Sequence, residues 1–295
     1  MTRDWSTLDG RAPRIIAHRG ASGPLPEHTQ AAYALALEQG ADVVEPDLVM
    51  SSDGVLMVRH DLTLARSTDV ATRPEFAHRA HEGDWRVQDF DRAALRALRA
   101  VQPFAQRDRS HDGRHSLMDF SDALAWAAQA AERRGRRVIL YPEIKHPSQL
   151  ARDGLDPVPA FIAQAVAAAG PQVTLWVQCF ELEALRRVRQ ATGLPCFLLL
   201  DADGDWRGSI ARHAHEIDGL GVNKRLLGAT GDARSELVER AHAANLQVHA
   251  WTYRDDVLPG DVAHVHDELR HAFAVGVDAL FCDFPATALA LRDAA

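Results

Sequence analysis

The chain has 295 residues, a length that α/β barrels commonly fill as one domain, and its 46% apolar and 25% charged content is ordinary for a soluble globular protein. Its 33 Lys plus Arg against 41 Asp plus Glu leave a net charge of −8, and no basic run forms the footprint of a nucleic-acid partner. No run of 18 apolar residues offers a membrane span, so no stable membrane insertion is expected. The N-terminal stretch lacks an apolar export core, so the sequence as it stands reads as cytoplasmic; a periplasmic protein already stripped of its signal would read the same way. Cys179, Cys196 and Cys282 each lie beside strand-like apolar sequence and read as buried thiols rather than disulfides or a zinc site. Nothing in the sequence specifies an oligomeric state.

In chain order, Arg14 to His18 is a short apolar run followed by a turn-rich loop, the pattern of a buried strand. A helix is expected from the N-cap Thr29 to Gly40, with Tyr33 and Leu37 on one face. The stretch from Ala41 to Leu62 reads as two strands folded about Asp53-Gly54. A two-residue loop would set His60 opposite Asp47, and a four-residue loop opposite Glu45. In both registers Glu45, Asp47 and His60 share a face. From about residue 62 to 115 the periodicity fails, apart from a helical stretch at Arg92 to Ala100. This length is too great for an ordinary connection and reads as an insertion after the second strand, capping the site, with its many charges in solvent and no catalytic residue.

Beyond it, helices and strands alternate. Helices are expected at Ser121 to Arg134, Val158 to Ala169, Glu181 to Gln190, Ser235 to Ala244 and Val262 to Ala274, and a last one after Pro285. Apolar strands start near residues 14, 43, 138, 173, 195, 219, 247 and 279. Eight strands alternating with helices predict a closed (β/α)8 TIM barrel, a single catalytic domain over 1–295 with the insertion at about 62–115. No G-x-G-x-x-G turn follows any strand, which argues against a doubly wound sheet.

Barrel chemistry sits where strands end. Here strands end in or carry His18-Arg19, Glu45 and Asp47, Glu143 and Lys145, Gln178, Trp251, and Asp283. Three carboxylates, Glu45, Asp47 and Glu143, cannot all stay ionised when partly buried without a compensating cation. An all-oxygen set of this kind suits Ca²⁺ or Mg²⁺, whereas Zn²⁺ would recruit His or Cys. The bland alternative pairs the acids with Arg19 and Lys145 alone. Two histidines beside such a centre, His18 and His60, point to a general acid and a general base, and Arg19 and Lys145 suit a phosphate. Metal, cations and a histidine pair together describe phosphoryl chemistry.

The motifs HRGASGPLPEHT, EPDLVMSSDG, RHD, YPEIK, VQCF and FCDFP resemble those of the glycerophosphodiester phosphodiesterases, most closely the bacterial periplasmic-type branch, over nearly the whole chain from Arg14 to about Leu291. The resemblance implies His18 and His60 as the acid–base pair and Glu45, Asp47 and Glu143 as metal ligands. It also implies Arg19 and Lys145 on the phosphate, Gln178 and Trp251 lining the pocket, and Glu27 supporting the histidines or Arg19. The implied reaction is hydrolysis of a small-molecule glycerophosphodiester to glycerol 3-phosphate and an alcohol. It would proceed either through a cyclic phosphate closed by the glycerol 2-hydroxyl or by direct attack of water. Two alternatives remain on the same barrel: release of a phospholipid headgroup, and non-catalytic phosphodiester binding. The first calls for apolar loops that meet a membrane, and the second needs no histidine pair.

Overall fold

Short runs of two to seven residues, rich in apolar side chains and too short for helices, pair side by side around a central axis. The computed structural model describes residues 5–168, 170–260 and 262–294. Twelve strand segments are present among them: β1 (Arg14–His18), β2 (Val43–Glu45), β3 (Asp47–Met50), β4 (Leu56–Val58), β5 (Val138–Leu140), β6 (Glu143–Ile144), β7 (Val173–Leu175), β8 (Val177–Cys179), β9 (Cys196–Leu200), β10 (Gly219–Asn223), β11 (Gln247–Tyr253) and β12 (Ala279–Cys282). Three barrel strands are each interrupted, at Pro46, at Tyr141-Pro142 and at Trp176, so β2–β3, β5–β6 and β7–β8 are continuous paths.

Among the described residues these strands pair in parallel except β3 with β4, which are antiparallel. The lower halves run β12–β1–β2–β5–β7 and the upper halves β3–β6–β8–β9, and β9 to β12 complete the ring. The result is the expected eight-stranded barrel, closed through its broken strands. Ile16, Val43, Tyr141, Phe197, Ala279 and Phe281 fill its interior, as the packed centre of such a barrel requires. The larger core lies between the strands and the surrounding helices.

Ten α-helices occur among the described residues: α1 (Gln30–Gln39), α2 (Arg92–Ala97), α3 (Phe120–Arg134), α4 (Pro147–Arg152), α5 (Pro157–Ala167), α6 (Leu182–Thr192), α7 (Trp206–His213), α8 (Glu236–Ala243), α9 (Val265–Val275) and α10 (Pro285–Asp293). The caps explain their limits. Thr29 accepts from Ala32 N at the start of α1, and Gly40 ends it in the left-handed conformation. A reciprocal capping box of Asp119 and Asp122 opens α3. Helices α4 and α7 are absent from the sequence expectation because each is short and follows no long amphipathic pattern. The helix expected to reach Ala169 ends at Ala167, and Ala169 itself lies outside the described residues. No helix among the described residues is long and apolar enough to cross a membrane.

The hairpin register differs from both expected ones. Met50 pairs with Leu56 and Leu48 with Val58, and Ser51 N donates to Val55 O, so the loop has three residues, 52–54. Gly54, with φ of 77°, supplies the left-handed position that a three-residue loop requires. This one-residue shift places Arg59, not His60, across from Asp47, through an Arg59 N to Asp47 O bond. His60 reaches the barrel mouth because β4 ends at Val58 and the chain bends, not because of strand alternation.

Segment 62–115 holds three short 3₁₀ turns and α2. Its apolar residues Leu64, Val70, Phe76, Trp85, Val87, Phe90, Leu95 and Leu98 form a second core with Val49 and Met57 of the hairpin. It is therefore packed rather than open, although periodicity alone does not reveal it.

Candidate active site

Strand register assembles the centre. Ala17 pairs with Cys282, His18 with Glu45, Asp47 with Glu143, and Glu143 with Gln178. Adjacent strands thus line up Asp283, His18 and Glu45 on one arc of the barrel mouth, and Asp47, Glu143 and Gln178 on the next. They open into a cleft of about 640 Å³ whose lining includes His18, Arg19, Glu45, His60, Glu143, Lys145, Gln178 and Trp251. Asp47 is buried just beneath it.

One carboxylate oxygen from each of Glu45, Asp47 and Glu143 lies within 4.8 Å of the others. Burial, and then the charge of Asp47, push the Glu45 carboxyl well above the carboxylate range. Burial raises Glu143 most and Asp47 adds to it, while Lys145 pulls back, leaving it at about 7. For Asp47 burial is again the largest influence, but Lys145, His60, His28 and Arg19 together outweigh it and hold the group well below its usual value. Buried Asp47 Oδ1 accepts no hydrogen bond from the described residues, and the Lys145 ammonium is 3.9 Å away. An all-oxygen donor set with one uncommitted buried oxygen, and with ionisation opposed by burial, fits a hard divalent cation.

Arg19 follows β1 in a left-handed conformation, φ 60°, and Gly20 continues it at 87°. A Cβ at Gly20 would stand 2.8 Å from the Ala32 backbone and the Tyr33 ring, so only glycine fits this turn. The turn aims Arg19 N at Glu45 Oε2, 2.9 Å away. The guanidinium lies 2.9 Å from Glu27 and 3.2 Å from Asp47. The Lys145 ammonium lies 2.8 Å from Glu143 Oε1, and this carboxylate raises its pKa against the effect of burial. Gln178 Nε2 donates weakly to Glu45 Oε1 at 3.4 Å, while Trp251 donates to the Gly221 carbonyl and meets Phe180 edge-on.

Both histidines are braced by a carboxylate. His18 Nδ1 is 2.6 Å from Asp283 Oδ1, and His60 Nδ1 is 2.6 Å from Asp61 Oδ1. Both acids are held below their ordinary range despite burial. For Asp283 the His18 hydrogen bond is the largest lowering influence, and for Asp61 the His60 bond is the largest influence of all. An ionised carboxylate only accepts, so each Nδ1 carries the proton and each Nε2 presents a lone pair. Burial and then Arg19 lower the pKa of both rings, His18 to about 4.

The structure brings all nine expected residues to one mouth. It adds groups that the sequence reading did not use. His28, left-handed at φ 58°, places Nε2 3.0 Å from Asp47 Oδ2 and Nδ1 3.1 Å from the Tyr33 hydroxyl, so the carboxylate centre has a third imidazole beside it. Its place directly after Glu27 in the first-strand loop was the available signal. Arg107 corrects the expectation that the insertion's charges lie in solvent. It is buried, 2.6 Å from Asp283 Oδ2, and grips Asp256 through two further bonds. Phe104 packs under its guanidinium and also lines the cleft. No local pattern marks Arg107 among the other arginines of this segment, because its carboxylate partners lie about 150 and 176 residues away.

Comparison with known proteins places the chain in a family. The sequence model of the glycerophosphoryl diester phosphodiesterase family matches residues 18–287. The chain is similar to a glycerophosphodiester phosphodiesterase of Arabidopsis thaliana, 30% identical with 94% of this chain and 85% of the relative covered. It is similar to that of Haemophilus influenzae, 30% identical with 92% and 88% covered. Among solved structures it shares the fold of a glycerophosphoryl diester phosphodiesterase homologue from Silicibacter pomeroyi, with TM-score 0.75, 22% identity and 98% of each chain covered. A phosphodiesterase of Oleispira antarctica, solved with its product sn-glycerol-3-phosphate, has TM-score 0.71 and 22% identity, with 97% of this chain and 99% of that one covered.

Proposed function

The chain belongs to the glycerophosphoryl diester phosphodiesterase family, and from that premise we propose a divalent-metal-dependent hydrolysis of glycerophosphodiesters to glycerol 3-phosphate and the free alcohol. The observation that carries the reading is the carboxylate triad flanked by two histidines, each braced through Nδ1 by its own aspartate. A phosphodiester-binding protein has no use for that bracing. We take Glu45, Asp47 and Glu143 as the ligands of Ca²⁺ or Mg²⁺. When bound, the ion supplies positive charge against the phosphate oxygens and offsets carboxylates whose ionisation burial opposes.

The residues of the chain do the rest. Arg19 and Lys145 hold and orient the phosphate, the guanidinium through its forked donors and the ammonium as a point charge. With Nδ1 protonated, the Nε2 lone pair of one histidine takes the proton from the attacking hydroxyl. The other histidine, once protonated at Nε2, delivers its proton to the departing alcohol oxygen. The attacking hydroxyl belongs either to the glycerol 2-position, which would give a cyclic phosphate for a second step, or to water. Gln178 and Trp251 bound the pocket beyond the phosphate. We take the whole of 1–295 as one catalytic domain, with 62–115 as a cap that contributes Arg107 and Phe104 to the mouth.

Purified protein should release glycerol 3-phosphate from glycerophosphocholine or glycerophosphoethanolamine. Excess chelator should abolish the release, and Ca²⁺ or Mg²⁺ should restore it. Undiminished turnover in chelator would sink the metal role. A second reading, headgroup cleavage on lipid, is favoured by one observation: Phe180 and Val257, both at the mouth, are among the few exposed large apolar residues. Turnover of lysophospholipid vesicles faster than of glycerophosphocholine would support it instead.

A further inference from the structure

We propose that the preferred substrate carries a second phosphate group on its alcohol half, bound by a basic wall facing the catalytic acids across the cleft. The inference rests on the phosphodiesterase reading above and adds a substrate class to it.

The cleft lining divides into the reaction centre and a basic wall. The centre holds Glu45 and Glu143, with Asp47 beneath, and Arg19 and Lys145 stand against these acids. The loops that follow β9, β10 and β11 bring Asp201, Lys224, Arg225 and Arg254 to the wall, and the insertion adds Arg66. Four cations therefore stand with one carboxylate among the described lining residues of that wall. Asp201 is itself engaged, accepting from Asn223 Nδ2 at 2.9 Å.

These cations are not equally committed. Lys224 is paired from behind with Glu268 of α9 and lies 5.2 Å from the Tyr253 ring centre. Arg254 gives Nε to Asp283 at 2.9 Å, and Arg66 lies 3.6 Å from Asp61. Arg225 has no carboxylate partner among the described residues. Asn223 fixes the turn that presents it, accepting from Arg225 N at 3.1 Å. The scissile phosphate already has Arg19 and Lys145, so this second set is surplus to cleavage of a diester with an uncharged alcohol. A quaternary ammonium placed against it meets like charge, whereas a phosphate finds guanidinium donors. Charges several ångströms apart at intermediate dielectric make this worth about tenfold in specificity.

The test compares kcat/KM for bis(glycerophospho)glycerol, glycerophosphoglycerol and glycerophosphocholine, using metal-loaded wild type and the Arg225→Glu variant. The expected order places the doubly anionic substrate about tenfold above the choline ester. The ratio should fall toward one in Arg225→Glu and in high salt. Equal or inverted specificity in the wild type overturns the proposal while leaving the phosphodiesterase reading intact, as does an unchanged ratio in Arg225→Glu. Failure to release glycerol 3-phosphate from all three substrates overturns both. Arg225 is exposed and outside any ion pair above, so the variant is expected to fold.

Discussion

His18 and Asp283 close the barrel chemically as well as topologically: Nδ1 of one stands 2.6 Å from Oδ1 of the other, across the seam where β1 meets β12. The other Asp283 oxygen receives Arg107 at 2.6 Å and Arg254 at 2.9 Å. One buried carboxylate thus fixes the tautomer of a proposed catalytic imidazole and is held ionised by two guanidiniums. Asp283 is on this geometry a positioning residue. Asp283→Asn should lower kcat by about 10²-fold or more with a smaller change in KM, and Asp283→Glu should recover part of it. Steady-state kinetics on folded variants check this; equal losses for Asn and Glu, all in KM, would count against it.

Removing the proposed acid–base groups themselves should be costlier. His18→Ala and His60→Ala should each lower kcat by about 10² to 10⁴-fold. Circular dichroism and metal titration of the same variants separate this from loss of fold. Near-normal turnover in either would require the pair to be reassigned.

His28 touches the carboxylate centre rather than the cleft. Its Nε2 bond to Asp47 Oδ2 orients a proposed metal ligand, with the Tyr33 hydroxyl holding the other side of the ring. Partners of this kind are worth about 10 to 100-fold in metal affinity. His28→Leu should weaken Ca²⁺ or Mg²⁺ binding by that factor in calorimetric titration, and added metal should restore turnover. Unaltered affinity would show that Asp47 is oriented without it.

Inside the barrel, His249 makes the protein sensitive to acid at a site distant from the mouth. It stacks on Phe197 at 4.4 Å, lies 3.0 Å from the Tyr141 hydroxyl through Nδ1, and lies the same distance from Gln247 through Nε2. Burial lowers its pKa from 6.5 to about 4. The unfolded chain therefore takes up this proton at higher pH than the folded one. The contribution to stability is fully present above about pH 6.5 and is lost as pH falls toward 4, by about 2 kcal/mol between pH 7.5 and 5. Urea midpoints at those two values should show a smaller difference in His249→Gln than in the wild type. Identical pH dependence in both would falsify the assignment.

The residues that alternate with local period, and the acids and bases that end strands, were readable from the chain alone. Strand sequences such as RIIAH and CFLLL announce burial, and their spacing predicts eight strands and a barrel. A barrel then gathers strand ends at one mouth, so His18, Glu45, Glu143, Lys145, Gln178 and Trp251 could be grouped without coordinates. The hairpin was legible as a hairpin but not in its register. The three-residue loop is held by Ser51 Oγ, which donates to Asp53 Oδ1 and accepts from Val55 N, and by the left-handed Gly54, contacts that a count outward from Asp53-Gly54 does not reveal. The register expected to carry His60 is absent, and the bend after Val58 carries it instead.

Tertiary structure alone decided the contacts that bridge distant segments. Arg107 reads like every other arginine of its segment until the second core folds the insertion over the mouth and leaves that one guanidinium against Asp283. His28 reads as a loop residue until Arg19 and Gly20 turn left-handed and His28 N bonds to Arg19 O, swinging its ring to Asp47. Sequence period determines which face a side chain shares with its near neighbours, because that is set by backbone geometry. Which ionic groups become one another's partners depends on loop closure and on what burial excludes from water, and both are properties of the assembled barrel.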